Sequence, residues 1–247
     1  MRAIYIMWLR QLKRYWRSRG RMIGSLGQPI LFLVALGFGL GPIYAMAGRG
    51  DFIQFLAPGV ISMTILFSAM FSGIEVIWDR QFGFLKETLV APVPRLHIMI
   101  GKTLGGATIS LFQGILVFII CLIVGFKPEL QNLPIALLFM FLIAVLFTAL
   151  GIAIASNLED MQSFPIIMNF LIMPLFFLSG AIFPLDGIPK SLGLIARINP
   201  LTYGVDGIRG ALTGFYHLSP LIDLFIITVL TLIILSIGTY MFSKVEI

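Results

Sequence analysis

Six long apolar runs constrain the fold of this 247-residue chain more than any other feature of its sequence. They cover residues 23–47, 52–78, 104–126, 133–155, 164–183 and 221–242. A run of about 20 apolar residues spans the hydrocarbon core of a bilayer as a helix. The runs are continuous and not alternating, which argues against a barrel of membrane strands. The sequence therefore predicts an all-α integral membrane protein with six transmembrane helices, forming a single domain over residues 1–247.

The distribution of Lys and Arg predicts how the chain is oriented. Only 11% of the residues are charged, and the formal net charge is +6. With a cytoplasmic amino terminus, 12 of the 17 Lys and Arg residues fall on the cytoplasmic side and 5 fall outside, as the positive-inside rule requires. We therefore expect a multi-pass protein of the cell (inner or plasma) membrane with both termini cytoplasmic. The bias explains the positive charge without nucleic acid as a partner.

Residues 1–21 are predicted to form an amphipathic helix at the membrane surface. Apolar side chains recur at helical spacing on one face, and basic side chains fall on the other. The apolar face comprises Ile4, Trp8, Leu12 and Tyr15, and the basic face comprises Arg10, Lys13, Arg14, Arg17 and Arg21. Such a helix lies in the interface with its cations among anionic headgroups, so membrane lipids are expected partners. The alternative is a plain basic segment flanking the first span.

The segment between the fifth and sixth runs, residues 184–220, is too apolar for a solvated loop. Within it, Asn199 can cap a helix, Pro200 suits the first helical position and Gly214 can end the helix. Asp206 and Arg209 lie three residues apart on the polar side of that helix. The segment predicts a pair of extracellular re-entrant helices between spans five and six, which cap the membrane domain.

A mixed-charge island, DRQFGFLKETLVAPVPRL at residues 79–96, separates the second and third runs. With Asp79 as a possible cap and Pro92 as a breaker, it has room for a helix of about three turns. Phe82 and Phe84 lie on roughly opposite faces of that helix, so two partners are expected. One is the membrane bundle. The other is either a second protein or the membrane surface, and the residues alone leave this open.

The island resembles the cytoplasmic coupling segment of ABC-2 type exporter permeases, which has a Gly-x-x-x-Glu core, a Pro-Val-x-Arg turn and a Gly-Lys pair. The corresponding positions are Gly83, Glu87, Pro92, Val93, Arg95, Gly101 and Lys102. The stretch NPLTYGVDGIRG resembles the signature before the last span of this family. Together the motifs cover essentially the whole chain, which is most similar to the branch that confers daunorubicin resistance and exports nodulation factors.

The resemblance implies that two copies of the permease, here a homodimer, pair with two separate ATP-binding subunits that grip the coupling helix. The residues expected at this contact are Phe82, Gly83, Phe84, Lys86, Glu87 and Thr88. Phe84 would insert into a groove of the ATPase, with Lys86 and Glu87 at its rim. No cofactor is expected in this chain, since ATP and magnesium would bind the partner subunit.

The resemblance also implies a substrate path and a structural cap. The path is expected to involve Gln28, Phe67, Phe71, Asn169 and Phe176. The cap is expected to be organised by Asn199, Pro200, Tyr203, Asp206 and Arg209. From the residues alone, Gln28 and Asn169 can equally form hydrogen bonds between helices, and the Gly pairs at 37/41 and 101/105 indicate close helix packing.

Chemistry of other classes is missing from the sequence. Gly101, Lys102 and Thr103 match the end of a phosphate-binding loop, but Leu96 stands where the earlier glycine is required. The two histidines, His97 and His217, fall on opposite sides of the membrane and cannot share a metal ion. The centres of the runs carry no Asp, Glu, Lys or Arg, which argues against a proton- or sodium-driven transporter. We therefore expect a transport subunit and not an enzyme.

These observations predict the permease of an ATP-binding-cassette exporter that moves an amphipathic, drug-like or lipid- or glycan-linked substrate out of the cytoplasm. Two alternatives remain. An ATP-independent lipid scramblase would use the same apolar bundle without needing the two-faced island. A membrane scaffold protein would need the island but would support no nucleotide-dependent flux.

Overall fold

The computed structural model describes residues 2–48, 50–84, 93–158, 160–185 and 189–243, and the regular structure of this part of the chain is entirely helical. The helices are α1 (Arg2–Arg17), α2 (Arg19–Met46), α3 (Phe52–Phe71), α4 (Ile74–Gln81), α5 (Arg95–Val124), α6 (Leu133–Ser156), α7 (Ser163–Phe177), α8 (Lys190–Ile198), α9 (Pro200–Thr213) and α10 (Pro220–Ser243). The all-helical prediction is confirmed for these residues.

Five of the described helical segments are long and apolar enough to cross a membrane. They are Met22–Met46, Phe52–Gln81, Arg95–Val124, Leu130–Ser156 and Pro220–Phe242. The fifth predicted span forms only the 15-residue helix α7, which ends at Phe177. The predicted count of six spans is therefore not reached by helices of full length.

The shortness of α7 has a packing reason. After Phe177 the chain turns at Gly180, whose φ is +75°, and Ala181 is buried against α3. A Cβ at Gly59 of α3 would lie 2.0 Å from the carbonyl oxygen of Ala181. The apolar residues after α7 thus pack beside α3 and do not extend the helix.

Hydrogen bonds define two ends of the bundle. At the α4 end, Arg80 donates to the carbonyl oxygen of Ser156 (2.7 Å), the last residue of α6, and to that of Leu158 (3.2 Å), which lies just beyond it. At the opposite end, called the α9 end, the amide of Glu129 donates to the carbonyl oxygen of Leu212 (2.7 Å). There the side chain of Gln54 also donates to the carbonyl oxygen of Gly125 (3.1 Å).

Helices α3 and α6 form the centre of the bundle, and α2 and α10 lie at its periphery. The α3–α4 break and α6 approach each other at two glycines. A Cβ at Gly73 would lie 2.3 Å from the carbonyl oxygen of Gly151, and one at Gly151 would lie 2.4 Å from that of Met70. Backbone therefore packs directly on backbone here, which only residues without a side chain permit.

Helix α1 packs lengthwise along α5. Gly101 and Gly105 lie beneath Met7 and Gln11, because a Cβ at either glycine would come within 2.7 Å of those side chains. This confirms close packing for the 101/105 pair, whereas a Cβ at Gly41 would have no atom of the described residues within 4 Å. Of the predicted apolar face of α1, only Tyr15 is fully buried. The location of α1 at the membrane surface stays a prediction.

Candidate functional site

A cluster of charged side chains joins α1, α4 and α5 at the α4 end. Asp79 of α4 is 3% exposed and accepts two hydrogen bonds from the Arg10 guanidinium, at 2.8 and 3.1 Å. Lys102 of α5, which is 1% exposed, donates to the same carboxylate. An Arg14 nitrogen lies 3.6 Å from it. One buried carboxylate thus ties together three helices that are distant in sequence.

This cluster corrects the prediction for the start of the island. Asp79 does not cap a new helix, because it lies inside α4, whose last residue is Gln81. Two residues beyond the helix, the chain turns at Gly83, which has a φ of +79° and whose amide donates to the carbonyl oxygen of Arg80. In a sequence, a lone Asp at the end of an apolar run is typical of a helix cap. The feature that could have indicated an ion pair instead is Lys102, near the start of the next run.

The first residues of the predicted coupling segment lie directly on the ion cluster. The Arg10 guanidinium lies over the Phe84 ring, 3.5 Å from its centroid, within the range of a cation–π contact. Phe84 is half-buried, whereas Phe82 is 79% exposed. The predicted contact residues Lys86, Glu87 and Thr88 lie outside the described residues. Phe82 is therefore the accessible aromatic side chain at the described start of this segment.

A cavity of about 380 Å³, the inner cavity, lies between α2, α3, α4 and α5, with Tyr15 of α1 also in its wall. Three residues of the predicted path, Gln28, Phe67 and Phe71, line it. Gln113 supplies a polar wall, where its amide donates to the Tyr15 hydroxyl (2.9 Å) and the Ser25 hydroxyl (2.8 Å). The mixture of aromatic rings with hydroxyl and amide groups suits an amphipathic ligand.

The other two predicted path residues do not line the inner cavity. Phe176 is buried behind it, with its ring centroid 6.1 Å from that of Phe32 and 6.5 Å from that of Phe67. Asn169 lies on the exposed face of α7. Sequence reasoning did not single out Trp78, which lines the inner cavity from α4. The only sequence feature that could have indicated a role for Trp78 is its position at the polar end of an apolar run.

The predicted cap consists of α8 and α9, which meet at Asn199. Its side-chain oxygen accepts from the amide of Leu201 (3.0 Å), and its side-chain nitrogen donates to the carbonyl oxygen of Leu175 in α7 (2.6 Å). Pro200 occupies the first helical position, and Gly214 ends α9 with a φ of +74°. The predicted helix signals are confirmed. The Tyr203 hydroxyl donates to the carbonyl oxygen of Arg197 (2.5 Å), which holds α8 against α9.

Asp206 and Arg209 brace different neighbours of α9. The Asp206 carboxylate accepts from the amides of His217 and Leu218, at 2.7 to 3.1 Å. Arg209 donates to the carbonyl oxygen of Gly180 (2.8 Å) and lies 4.1 Å from the centroid of the Phe55 ring. Burial lowers the pKa of Arg209 to about 10, so its guanidinium remains charged at neutral pH. Both side chains also line a second cavity of about 550 Å³ at the α9 end, the outer cavity.

The described residues offer little for other chemistry. They contain no group of three or more His, Cys, Asp or Glu residues that could hold a metal ion. Cys121 is buried, as a lone thiol inside an apolar run would be expected to be. The described part of the chain is thus a helical bundle with five helices of membrane-spanning length, cavities among its helices and a buried ion cluster at the α4 end, as expected of an integral membrane protein.

Comparison with known proteins identifies the family. Residues 2–213 match the family described as ABC-2 type transporter, and the chain belongs to the ABC-2 type transporter permeases. The resemblance found in the sequence is thus confirmed.

Three relatives illustrate the similarity. The ycf38 permease of Cyanophora paradoxa is 30% identical over 192 residues, which cover 76% of this chain and 66% of the relative. Nodulation protein J of Rhizobium leguminosarum bv. trifolii is 28% identical over 215 residues, which cover 86% of this chain and 79% of the relative. The inner membrane transport permease YadH of Escherichia coli (strain K12) is 27% identical over 229 residues, which cover 90% of this chain and 87% of the relative. The chain spans about two thirds of the length of the first of these.

Proposed function

We propose that this chain is the permease subunit of an ATP-binding-cassette exporter that moves an amphipathic, drug-like or lipid- or glycan-linked substrate out of the cytoplasm. Membership of the ABC-2 family supports a transport role. The ion cluster at Asp79 is the observation that carries the proposal. It links the start of the coupling segment to both α1 and α5, so a force applied to that segment reaches two helices of the bundle at once.

Coupling to ATP hydrolysis is assigned to partner subunits that bind the α4 end. Phe82 presents an exposed aromatic side chain there, and such side chains are enriched among residues that dominate protein interfaces. Gly83 and Phe84 follow it, and Lys86, Glu87 and Thr88 continue the same contact. ATP and magnesium belong to the partner, and this chain contributes no catalytic group.

The inner cavity is the proposed substrate site. Gln28 can orient a polar group, while Phe67 and Phe71 face apolar parts of the substrate. Phe176 supports Phe67 from behind. Asn169 lies on an exposed face that we assign to the interface between two copies of the permease. The outer cavity beneath α9 is then the exit, with Asp206 and Arg209 holding its walls.

The proposed topology follows from the positive-inside bias. The α4 end faces the cytoplasm together with both termini, and the inner membrane location stated for YadH is extended to this chain. Helix α7, with the apolar residues after it, completes a sixth crossing. Helices α8 and α9 are re-entrant from the external side, and α1 lies at the cytoplasmic interface.

The experiment that tests this function is affinity purification of the tagged chain from its native membranes in mild detergent, with mass spectrometry of the proteins that co-elute. We expect an ATP-binding-cassette subunit at near one-to-one stoichiometry. Phe82→Ala should weaken its retention about tenfold, the usual loss for an aromatic anchor. Phe215→Ala is the matched control, because Phe215 is equally exposed, at 80%, but lies at the α9 end.

Reconstitution into vesicles separates the alternatives. Flux of a fluorescent amphiphile that needs both the partner and ATP supports the exporter. Lipid movement that is independent of ATP would favour the scramblase, and retention of other proteins without any flux would favour the scaffold. Absence of an ATPase under conditions that preserve the complex would overturn the coupling assignment.

A further inference from the structure

A third cavity, of about 560 Å³, opens beside α1 and α4 and is lined by an unusual excess of positive charge. Its charged side chains are those of Arg10, Lys13, Arg14, Arg17 and Asp79. Four cations against one carboxylate leave a net charge of +3, and Lys102 binds the same carboxylate from within the bundle. Asp79 is already fully engaged, so the cavity offers positive charge to an anion from outside.

Two of these cations are available for a ligand. Within the described part of the chain, neither Lys13 nor Arg17 forms an ion pair, and both side chains are exposed. Arg14 lies at 3.6 Å from Asp79 and contributes a longer, weaker pair than Arg10. A phosphate or another anion placed among Lys13, Arg14 and Arg17 would therefore meet charge that the fold does not neutralise.

The cavity is also apolar on one side. Ile6, Leu9, Phe82 and Phe84 line it together with Trp78. Trp78 also lines the inner cavity, so one indole borders both the basic cavity and the inner cavity. The Arg14 guanidinium lies 5.1 Å from the centroid of the Trp78 ring. The indole N–H is buried and has no acceptor among the described residues, so it can donate to an oxygen of a ligand.

The exposed aromatic and apolar side chains of α1 indicate that the ligand is a membrane component. Tyr5, Ile6 and Trp16 are each more than half exposed on this helix, and aromatic and basic residues together are typical of helices at the lipid interface. An acidic surface of a soluble partner would match the cations but would leave the apolar wall at Trp78 unused. A lipid with a charged headgroup and apolar chains matches both.

We propose that this cavity binds an anionic glycerophospholipid of the adjacent leaflet. The phosphate lies among Lys13, Arg14 and Arg17, and an acyl chain runs along Ile6 and Trp78. The site goes beyond the transport function and does not depend on it. Since the same cavity is bounded by Phe82 and Phe84, the bound lipid contacts the start of the coupling segment.

Quenching of tryptophan fluorescence by brominated lipid tests the site. The chain has three tryptophans, and the double variant W8F/W16F leaves Trp78 as the single reporter. The purified full chain is titrated in mixed micelles with brominated phosphatidylglycerol or with brominated phosphatidylcholine. We expect saturable quenching by phosphatidylglycerol at a much lower mole fraction than by phosphatidylcholine.

The variant K13Q/R17Q isolates the charges without disturbing the Asp79 cluster. Each basic residue near an anionic lipid contributes about fivefold in affinity, so this variant should bind phosphatidylglycerol about 25-fold more weakly and phosphatidylcholine unchanged. The matched control K127Q/R197Q removes the same charge from the distant α9 end and should leave both curves unchanged. Thermal midpoints of all variants verify that each is folded.

Three results would overturn the proposal. Equal quenching by the two lipids would mean contact without headgroup selection. An unchanged phosphatidylglycerol curve in K13Q/R17Q would mean general attraction to a basic protein. A variant that keeps its lipid binding but loses retention of the ATPase would assign the cations to a protein partner. Native mass spectrometry of the chain with all three tryptophans counts bound phosphatidylglycerol independently, with the same loss expected in K13Q/R17Q.

Discussion

At the scale of single residues, the charges of Asp79 and Lys102 are the most consequential. Removing ions from water costs several kcal/mol each, and this cost is recovered only when the geometry of the pair is good. Asp79 meets this condition through its bidentate contact with Arg10 and its bond from Lys102. The cluster is therefore better understood as fixing the relative positions of three helices than as a source of net stability.

Asp79→Asn should destabilise the fold by about 3–5 kcal/mol, since it leaves the buried Lys102 ammonium without the carboxylate to which it donates. Lys102→Met should cost less than half as much, because Asp79 keeps both hydrogen bonds from Arg10. The measurement is the thermal midpoint in detergent, followed by size-exclusion chromatography. Equal midpoints for the two variants would show that the carboxylate does not organise the cluster.

At the scale of helices, the break between α3 and α4 is held by direct contact of backbones. Gly73 and Gly151 allow α6 to approach the residues on either side of the break. In a membrane the hydrophobic effect does not drive helices together, so their association depends on van der Waals packing. Close approach of the backbones strengthens that packing. It also aligns α4, and hence Asp79, with the helices it binds.

Gly151→Ala should therefore destabilise the bundle by about 2 kcal/mol or more, because the new methyl group would lie 2.4 Å from the Met70 carbonyl oxygen. Gly39→Ala is the control, since no atom of a neighbouring element in the described structure lies within 4 Å of a Cβ at that position of α2. It should be neutral or slightly stabilising. Retention of the parent midpoint by Gly151→Ala, in the same thermal assay, would contradict the predicted contact.

The junction of α8 and α9 depends on both ends of the Asn199 side chain. Asn199→Ala should cost about 2 kcal/mol, about half from the lost helix cap and half from the lost hydrogen bond to Leu175. Asn199→Ser keeps a capping oxygen but cannot reach α7 as a donor, so it should cost about 1 kcal/mol. Thermal unfolding of the three proteins decides this, and equal losses in the two variants would mean that the cap contributes nothing.

These helices also show where sequence reasoning succeeds. The signals of α9 are local, since Asn199, Pro200 and Gly214 act on their own backbone, and they were predicted correctly. The end of α7 was not, because the apolar residues after Phe177 resemble a continued span, and only contact with Gly59 shows that they pack otherwise. Asp79 was misassigned as a cap for the same reason, as its partners Arg10 and Lys102 are remote in sequence. Of the predicted path, Gln28, Phe67 and Phe71 meet at one cavity.

At the scale of the whole molecule, the exposed face of α7 is the most informative surface. Ile166 and Phe170 are 71% and 83% exposed, and Met173 is 40% exposed. Asn169 lies among them. An amide facing lipid would lack hydrogen-bond partners, whereas an amide facing a second copy can pair across the interface. A twofold axis brings equivalent residues of the two copies together, so Asn169 is expected to lie near its counterpart.

Cysteine cross-linking tests this arrangement in a Cys121→Ser background, which removes the only native cysteine. Asn169→Cys and Met173→Cys should form disulfides between copies on mild oxidation, because a disulfide requires Cα atoms within about 7 Å. Phe225→Cys and Leu232→Cys are controls on α10, where the parent residues are 69% and 60% exposed, and should remain monomeric on a denaturing gel. Cross-linking on α10 but not α7 would move the interface to the exposed face of α10. In that case Asn169 would lie away from the partner copy, and the inner cavity, which α7 does not line, would have to serve each copy separately.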